Sequence, residues 1–311
     1  MTNIVLQLTS EEQQKIKTFY NKSLIDRNGP GILFGIKLTD TAITAYKSGK
    51  VMFQGAGATR EAAKWGTVSA TAKKSSNTKG DTLPKDFASL SVIGSDETGT
   101  GDYFGPVTVA AVYVPADKIE LVQELGVKDS KQLTDEYMRK IAPDLMKVCT
   151  YSILTLRNDK YNEIQAKGNS QGKIKALLHN QALKHVLNKI APEKPEYILI
   201  DQFAERGIYY NYLKNEKEII REQVLFSTKA ENLHVAVATA SILARYAFLN
   251  EMDRLAEIVG FPIQKGASGK VDQMAAKIWL KFGEDTLRSM TKWHFANTEK
   301  ARTLLQKKRS N

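Results

Sequence analysis

The spacing of apolar and polar positions divides the chain into two differently built parts. At the amino end, Ile4, Leu6 and Leu8 occupy alternate positions, which predicts a short strand. The acidic stretch after Ser10 is typical of a capped helix start. Three further runs of strand character and a second short helix are predicted at 32–38, 41–47, 50–55 and 59–66. This order predicts a small α+β module, with one sheet and helices on one of its faces.

The longer part of the chain alternates strands with helices. Short runs rich in apolar and β-branched residues predict strands at 90–95, 107–115, 151–157, 197–201 and 223–227. Apolar residues at helical spacing predict helices at 134–147, 172–190, 232–258, 271–282 and 284–290. Three successive strands followed by alternating helices and strands predict an α/β domain. Its mixed central sheet would be flanked by helices.

A polar segment separates the two parts. Residues 68–86 are rich in Ser, Thr, Lys and Gly and show no apolar periodicity, which is typical of an exposed linker. We therefore predict a small domain over 1–67, a flexible linker over 68–88 and the α/β domain over 89–311.

Composition excludes several classes of protein. The 311 residues are 42% hydrophobic and 25% charged, an ordinary globular mixture. No apolar run approaches the ~18 residues that span a bilayer, and the amino end becomes acidic by Glu11, unlike a secretory signal. A single cysteine, Cys149, excludes an internal disulfide framework and a multi-cysteine zinc site. We expect a cytoplasmic protein without a membrane anchor.

The excess of positive charge points to a polyanionic partner. Basic residues outnumber acidic ones by 45 to 34, giving a formal net charge of +11. Such a balance favours nucleic acid through counterion release, although a basic surface without a specific partner is the alternative. Residues 1–86 hold 13 basic and 7 acidic side chains, over half of the excess in little more than a quarter of the chain. The small domain is therefore a candidate binding surface.

Four carboxylates are predicted at the ends of secondary-structure elements. Asp96 and Glu97 follow the first strand of the α/β domain, Asp201 ends the fourth strand, and Glu231 begins the long helix. Taken singly, each has a simpler explanation as a turn or capping residue. Together they offer the oxygen ligands that Mg²⁺ prefers. Two such ions about 3.5–4 Å apart clamp an in-line displacement at phosphorus.

Several sequence segments resemble the type 2 ribonucleases H, and in detail the ribonuclease HIII family. The match spans residues 90–297 in order and spacing, through the segments GSDETGTGDYFGPV, VKDSKQLT, ILID and KAENLHVAVATASILAR, and the stretch HFANTEKA at 294–301 is also similar to the family. Gly99-Thr100-Gly101 stands where ribonuclease HII has Gly-Arg-Gly, and Glu231 where those relatives have Asp. The amino-terminal module, absent from ribonuclease HII, is similar to the TBP-like domain of the HIII group.

The resemblance implies a fold, an activity and a set of site residues. It implies an RNase H-like domain after a TBP-like substrate-binding domain, and an endonuclease that cleaves the RNA strand of RNA–DNA hybrids. Two Mg²⁺ or Mn²⁺ ions would be held by four acids, leaving 5′-phosphate and 3′-hydroxyl ends, and a monomer is expected. The implied catalytic and metal-binding residues are Asp96, Glu97, Asp201 and Glu231. The implied substrate contacts are Gly99, Thr100, Gly101, Ser130, Lys131 and Arg245.

Alternatives remain at the level of residues and of activity. Ser130 and Lys131 fit a simple turn, Arg245 fits an ion pair with a carboxylate, and His294 fits packing better than catalysis. A ribonuclease HII-type junction nuclease or another nuclease of the same fold acting on DNA would use a similar acid cluster. A nucleic-acid-binding protein without catalytic activity is a further alternative, but it leaves the positions of the four acids unexplained. The segment GTGDYFG lacks the GxxxxGK[ST] pattern of a nucleotide phosphate loop.

Overall fold

The computed structural model describes residues 3–26, 31–66, 80–127 and 133–309. It divides into two compact units, residues 1–77 and 78–311. Among the described helices, none combines the length and the apolar character that a membrane span requires.

The first unit is a five-stranded antiparallel sheet covered by helices on one face. Its elements are β1 (Asn3–Gln7), α1 (Ser10–Phe19), β2 (Leu24–Ile25), β3 (Ile32–Lys37), β4 (Ala42–Tyr46), β5 (Lys50–Gln54) and α2 (Ala58–Ala62). The strand order is β1-β5-β4-β3-β2. Alternate residues such as Ile43 and Phe53 are buried with Ile16 of α1. The strand-rich α+β module predicted for this region is confirmed, with β2 as an addition.

The second unit contains a mixed sheet between helices. Its elements are β6 (Val92–Thr98), β7 (Val107–Val114), α3 (Ile119–Glu124), α4 (Asp135–Val148), β8 (Thr150–Leu156), α5 (Asn158–Ala166), α6 (Gln171–Ile190), β9 (Tyr197–Asp201), α7 (Arg206–Tyr212), β10 (Val224–Ser227), α8 (Val235–Val259), α9 (Gly269–Met290) and α10 (Ala296–Arg309). Helix α9 is interrupted at Gly283, at the junction of the two predicted helices.

The order of the second sheet is β10-β9-β6-β7-β8. Strands β6, β7 and β8 are antiparallel neighbours, whereas β9 and β10 run parallel to β6. One face of the sheet packs against α6 and α7 through residues such as Ile93 and Ile200. The other face packs against α8 and α4 through Val92 and Leu199. The predicted α/β domain with a mixed central sheet is confirmed.

The structure corrects three details of the sequence analysis. Strand β6 continues to Thr98 because its ladder with β7 runs to the pair Thr98–Thr108, so Asp96 and Glu97 lie within the strand. Helix α1 is capped by Thr9, one residue before Ser10. The short helices α3, α5 and α7 and the terminal helix α10 were not predicted, since short or strongly polar segments carry weak apolar periodicity.

The predicted linker also needs correction where it is described. Its first part, 68–79, lies outside the described residues, but 80–88 belongs to the second unit. Gly80 pairs with Ser227, and Asp81 bonds the amide of Phe226 and the guanidinium of Arg206. Phe87 is buried in the core of that unit. These contacts could not be predicted from the polar composition of the segment, because backbone groups and single side chains make them and such contacts produce no apolar periodicity.

Candidate metal-binding active site

Adjacent parallel strands bring Asp96 and Asp201 together. The ladder between β6 and β9 pairs Ser95 with Ile200, so the next residues of the two strands lie opposite each other. Neighbouring strands are about 4.8 Å apart, and opposed residues point to the same face. Both carboxylates therefore lie at one end of the sheet, on the face that packs against α8.

Glu231 reaches the same end of the sheet through a tight turn. It lies in the single 3₁₀ turn Ala230–Asn232 that precedes α8. The Asp201 Oδ1 atom accepts a hydrogen bond of 2.9 Å from the amide of Ala230, which ties this turn to β9. The start of α8 passes directly over Gly94, where an added Cβ would lie 2.2 Å from the amide nitrogen of Val237. Glycine at this position lets the helix approach β6 closely.

The surroundings of the buried Asp96 carboxyl disfavour its ionised form. Burial raises its pKa well above the usual range, and the negative charges of Glu97 and Asp201 raise it further. Hydrogen bonds from the Ser241 hydroxyl and the Glu97 amide offset only part of this. Burial also raises the pKa of Asp201, to which Glu231 contributes repulsion. The site gathers negative charge that a cation would neutralise.

Glu97 points to the opposite face and is held by two donors of α6. Its Oε1 atom lies 2.7 Å from Lys175 Nζ, and its Oε2 atom lies 2.9 Å from His179 Nε2. The other ring nitrogen of His179 contacts Ser95 Oγ at 2.7 Å, and its ring stacks on Phe203. Burial works to raise the pKa of Glu97, but the two donors outweigh it and hold that pKa below its usual range. Glu97 is therefore a fixed, ionised carboxylate.

These residues fit a hard divalent cation of the Mg²⁺ type. Mg²⁺ is usually bound by one or two carboxylates together with substrate phosphates and water, rather than by a complete protein cage. Within the described ranges, no group of three or more His, Cys, Asp or Glu side chains is arranged to hold a metal ion. The buried carboxylate of Asp96 and the half-buried carboxylate of Asp201 form the core of the candidate site.

The glycine-containing loop after β6 lies beside the acids. Residues 99–102 form a turn closed by a hydrogen bond of 3.3 Å from the Asp102 amide to the Gly99 carbonyl. Thr100 is half-buried and Gly101 is exposed. The backbone of this loop is thus accessible at Gly101, whereas Gly99, another of the predicted contacts, is buried.

The other predicted contacts have different outcomes. Ser130 and Lys131 lie outside the described residues. The guanidinium of Arg245 bonds both carboxylate oxygens of Asp135 at 2.8 and 3.2 Å, which is the ion-pair alternative left open by the sequence. His294 packs against the rings of Tyr161 and Phe295.

Lys175 and His179 were not predicted as site residues from the sequence. They lie four residues apart on α6, which places both on one face of the helix. The spacing of the two residues can be read from the sequence. A single sequence does not link them to Glu97, however, because Glu97 lies almost eighty residues before Lys175.

Comparison with known proteins assigns the class of this fold and site. The model of the ribonuclease HII family matches residues 93–298, which include all four predicted acids. A domain of unknown function, DUF3378, matches residues 3–78. The RNase H-like fold expected for the second unit is thereby confirmed.

Individual relatives show which group of type 2 ribonucleases H the chain belongs to. Ribonuclease HIII of Lysinibacillus sphaericus is 66% identical over 98% of this chain and its own full length, and that of Bacillus subtilis is 51% identical over the full length of both. The crystal structure of Bst-RNase HIII in complex with Mn²⁺ matches with a TM-score of 0.70 and 45% identity, over 98% of this chain and 100% of that one. The chain belongs to the ribonuclease HIII family of type 2 ribonucleases H.

Proposed function

We propose that the protein is an endonuclease that hydrolyses the RNA strand of RNA–DNA hybrids. The observation that carries the proposal is the pairing of Asp96 with Asp201 at the end of parallel strands, where burial and mutual repulsion call for a cation. The family assignment and the net charge of +11 support a nucleic-acid substrate.

The four acids would hold two Mg²⁺ or Mn²⁺ ions. When bound, such ions supply an activated water, neutralise charge at the phosphate and stabilise the leaving oxygen. Asp96, whose pKa is raised by burial and by the charges of both Glu97 and Asp201, is the proposed shared ligand. Glu97, fixed by Lys175 and His179, presents its charge without rearrangement. Attack at phosphorus with departure of the 3′-oxygen leaves 5′-phosphate and 3′-hydroxyl ends.

Recognition of the RNA strand is assigned to the loop after β6. The backbone of Gly99, Thr100 and Gly101 would bind ribose 2′-hydroxyls, the groups that distinguish RNA from DNA. Ser130, Lys131 and Arg245 would contribute phosphate contacts. Arg245 would do so as part of its pair with Asp135.

The first unit is assigned to hybrid binding through the open face of its sheet, as a TBP-like domain. Leu33 and Lys37 of β3 and Lys50 of β5 are exposed, and the alternation of side chains places them opposite the helix-covered core. Lys47 is exposed in the turn between β4 and β5. We further propose that the enzyme acts as a monomer in the cytoplasm.

Three substrates of one sequence test the proposal: a uniform RNA–DNA hybrid, a DNA duplex containing a single ribonucleotide, and an all-DNA duplex. Each is incubated with Mg²⁺, with Mn²⁺ or with EDTA, and the product ends are analysed. Metal-dependent cleavage of the hybrid alone supports the proposal. Cleavage at the single ribonucleotide favours a ribonuclease HII-type junction activity, and cleavage of the DNA duplex favours a DNase of the same fold. An uncleaved hybrid refutes the proposed function.

A further inference from the structure

We propose that Gln171, at the start of α6, is a positioning residue that aims the Thr100–Gly101 peptide at the RNA strand. This inference rests on the proposed function and deepens it. It assigns a role in ribose recognition to Gln171, which lies outside the sequence segments that resemble the family. Two observations support it. The fold requires glycine at position 99 but not at position 101, and a hydrogen bond fixes the peptide between Thr100 and Gly101.

Gly99 is required by the fold. Its φ of +93° lies in the left-handed region, and an added Cβ would lie 2.2 Å from the Pro106 carbonyl oxygen and 2.9 Å from the Phe248 ring. Any side chain there would force the backbone and the core apart.

Gly101 is not required by the fold. Its φ is not among the positive values, and no atom of the described residues lies within 4 Å of an added Cβ. Gly101 is exposed in the loop that follows β6. A glycine that neither conformation nor packing demands is what close approach of an external ligand to the backbone would favour.

Gln171 fixes the peptide that contains the Gly101 amide. Its Nε2 atom donates a hydrogen bond of 3.0 Å to the Thr100 carbonyl oxygen. Thr100 C=O and Gly101 N–H belong to one planar trans peptide, so they point in opposite directions. With the carbonyl turned towards α6, the Gly101 N–H is turned away from α6. Among the backbone hydrogen bonds of the described residues, none uses this N–H as donor.

The rest of the loop is fixed independently of Gln171. The fully buried Lys292 donates from Nζ to the carbonyl oxygens of Asp102 and Gly105 at 2.7 and 2.6 Å. The Tyr103 amide bonds the Gly266 carbonyl, and the Gly105 amide bonds the Met290 carbonyl. The loop therefore has an anchored base, and the Gln171 bond acts at its tip.

Helix α6 does not need Gln171 for its own stability. The helix is capped by Ser170, whose hydroxyl accepts a hydrogen bond from the Lys173 amide. Gln171 is the first helical residue and is half-buried. Replacing its amide by an apolar group of similar length should leave the helix intact, so an effect on substrate can be separated from unfolding.

The test compares Gln171→Met with Gln181→Met in the full-length protein. Gln181 lies on the same helix, is exposed and contacts His185, far from the loop in sequence. Affinities for a uniform RNA–DNA hybrid and for a DNA duplex of the same sequence are measured by fluorescence anisotropy in EDTA. Steady-state kinetics with Mg²⁺ and the Tm of each variant complete the set.

Gln171→Met should lower the ratio of hybrid affinity to duplex affinity about three- to tenfold, the range expected for one lost hydrogen bond. Its Tm and its affinity for the DNA duplex should match those of Gln181→Met and the wild type. An unchanged ratio, or an equal loss for both substrates, overturns the role of Gln171 while leaving hybrid cleavage by the wild type intact. A wild-type protein that binds the hybrid no better than the duplex overturns both this role and the recognition on which it rests.

Discussion

Asp96 and Glu97 are consecutive residues of one strand, yet their pKa values are shifted in opposite directions because they lie on opposite faces of the sheet. On the α8 face, burial raises the pKa of Asp96, and the negative charges of Glu97 and Asp201 raise it further. On the α6 face, Glu97 meets Lys175 and His179, which lower its pKa. The alternation of side chains along a strand produces this difference from two adjacent acids.

The comparison separates two roles within one acidic cluster. The ionised form of Glu97 is stabilised by Lys175 and His179, which also fix the carboxylate in place. Asp96 has repulsive carboxylate neighbours, so its charge is favourable only when a cation is bound. The α8 face is thus where a metal is needed most, and the α6 face is where the protein has built its own compensation.

The largest effect is expected from removing the charge of Asp96. Asp96→Asn should lower hybrid cleavage about a thousandfold, because the ions' stabilisation of the transition state is worth several kcal/mol. The same change relieves repulsion with Glu97 and Asp201, so the Tm of the metal-free variant should rise. Cleavage assays and thermal unfolding in EDTA measure the two effects. Asp144→Asn, an exposed surface change, is the control, and an active Asp96→Asn enzyme would contradict the proposed role.

The next effect tests the α6 face. Lys175→Met removes one donor to Glu97 but keeps apolar contact with Phe203, over which the ammonium lies at 4.2 Å. Partners that orient a metal ligand are typically worth about 10–100-fold in affinity or activity, so kcat/KM should fall in that range. Lys189→Met on the same helix, which loses a bond to the Tyr151 carbonyl and a cation–π contact with the Tyr151 ring but no contact with Glu97, should be close to wild type. Equal activity of both variants would show that Glu97 needs no such support.

Lys292 is a buried basic residue and can be compared with the buried Asp96 carboxyl. Burial lowers its pKa from 10.5 to about 7, and its hydrogen bonds go to backbone carbonyls. Between about pH 7 and pH 10 the unfolded chain therefore binds the extra proton, so the free energy of unfolding should rise with pH in this window. The gain is at most roughly 5 kcal/mol, from 1.36 kcal/mol per pKa unit.

The control for this prediction is Lys292→Met, followed by urea unfolding at pH 7, 8, 9 and 10. The variant should lack the part of the pH dependence that belongs to Lys292. Parallel curves for variant and wild type would show that the lysine stays protonated through the whole window.

The smallest effect concerns the first unit. Each lysine that neutralises a phosphate steepens the salt dependence of binding by about one unit of the logarithmic slope. The double variant Lys37→Gln, Lys50→Gln should therefore bind the hybrid more weakly at low salt and with a shallower slope. Lys147→Gln, on α4 and paired with Asp144, is the matched control. Identical slopes for all three proteins would remove the open sheet face from the binding surface.

The fold was largely predictable because long apolar patterns dominate it. The five strands of the mixed sheet and helices α4, α6 and α8 follow from runs of buried residues such as Val109, Ile198 and Leu243. The position of Asp201 and Glu231 at element ends also followed, since both adjoin strongly patterned segments. Short helices and the packed segment 80–88 did not, because single contacts leave no period in the sequence.

The electrostatic asymmetry of the site was beyond sequence reasoning. Adjacent acids at the end of a strand indicate that one points to each face, but not which partners they meet. The pairing of Glu97 with Lys175 and His179 depends on where α6 crosses the sheet, and that of Arg245 with Asp135 on the packing of α4 against α8. Such long-range pairs are set by tertiary structure.

Mn²⁺ binding to the metal-free protein tests the central claim most directly. Titration calorimetry compares the wild type with Asp201→Asn and with Glu193→Gln, whose carboxylate bonds the Tyr113 hydroxyl away from the site. We predict that Asp201→Asn weakens Mn²⁺ binding at least about tenfold, the low end for loss of a metal-site interaction, while Glu193→Gln binds as the wild type does. Equal affinity of all three proteins would contradict the assignment of the Asp96–Asp201 pair as the metal site.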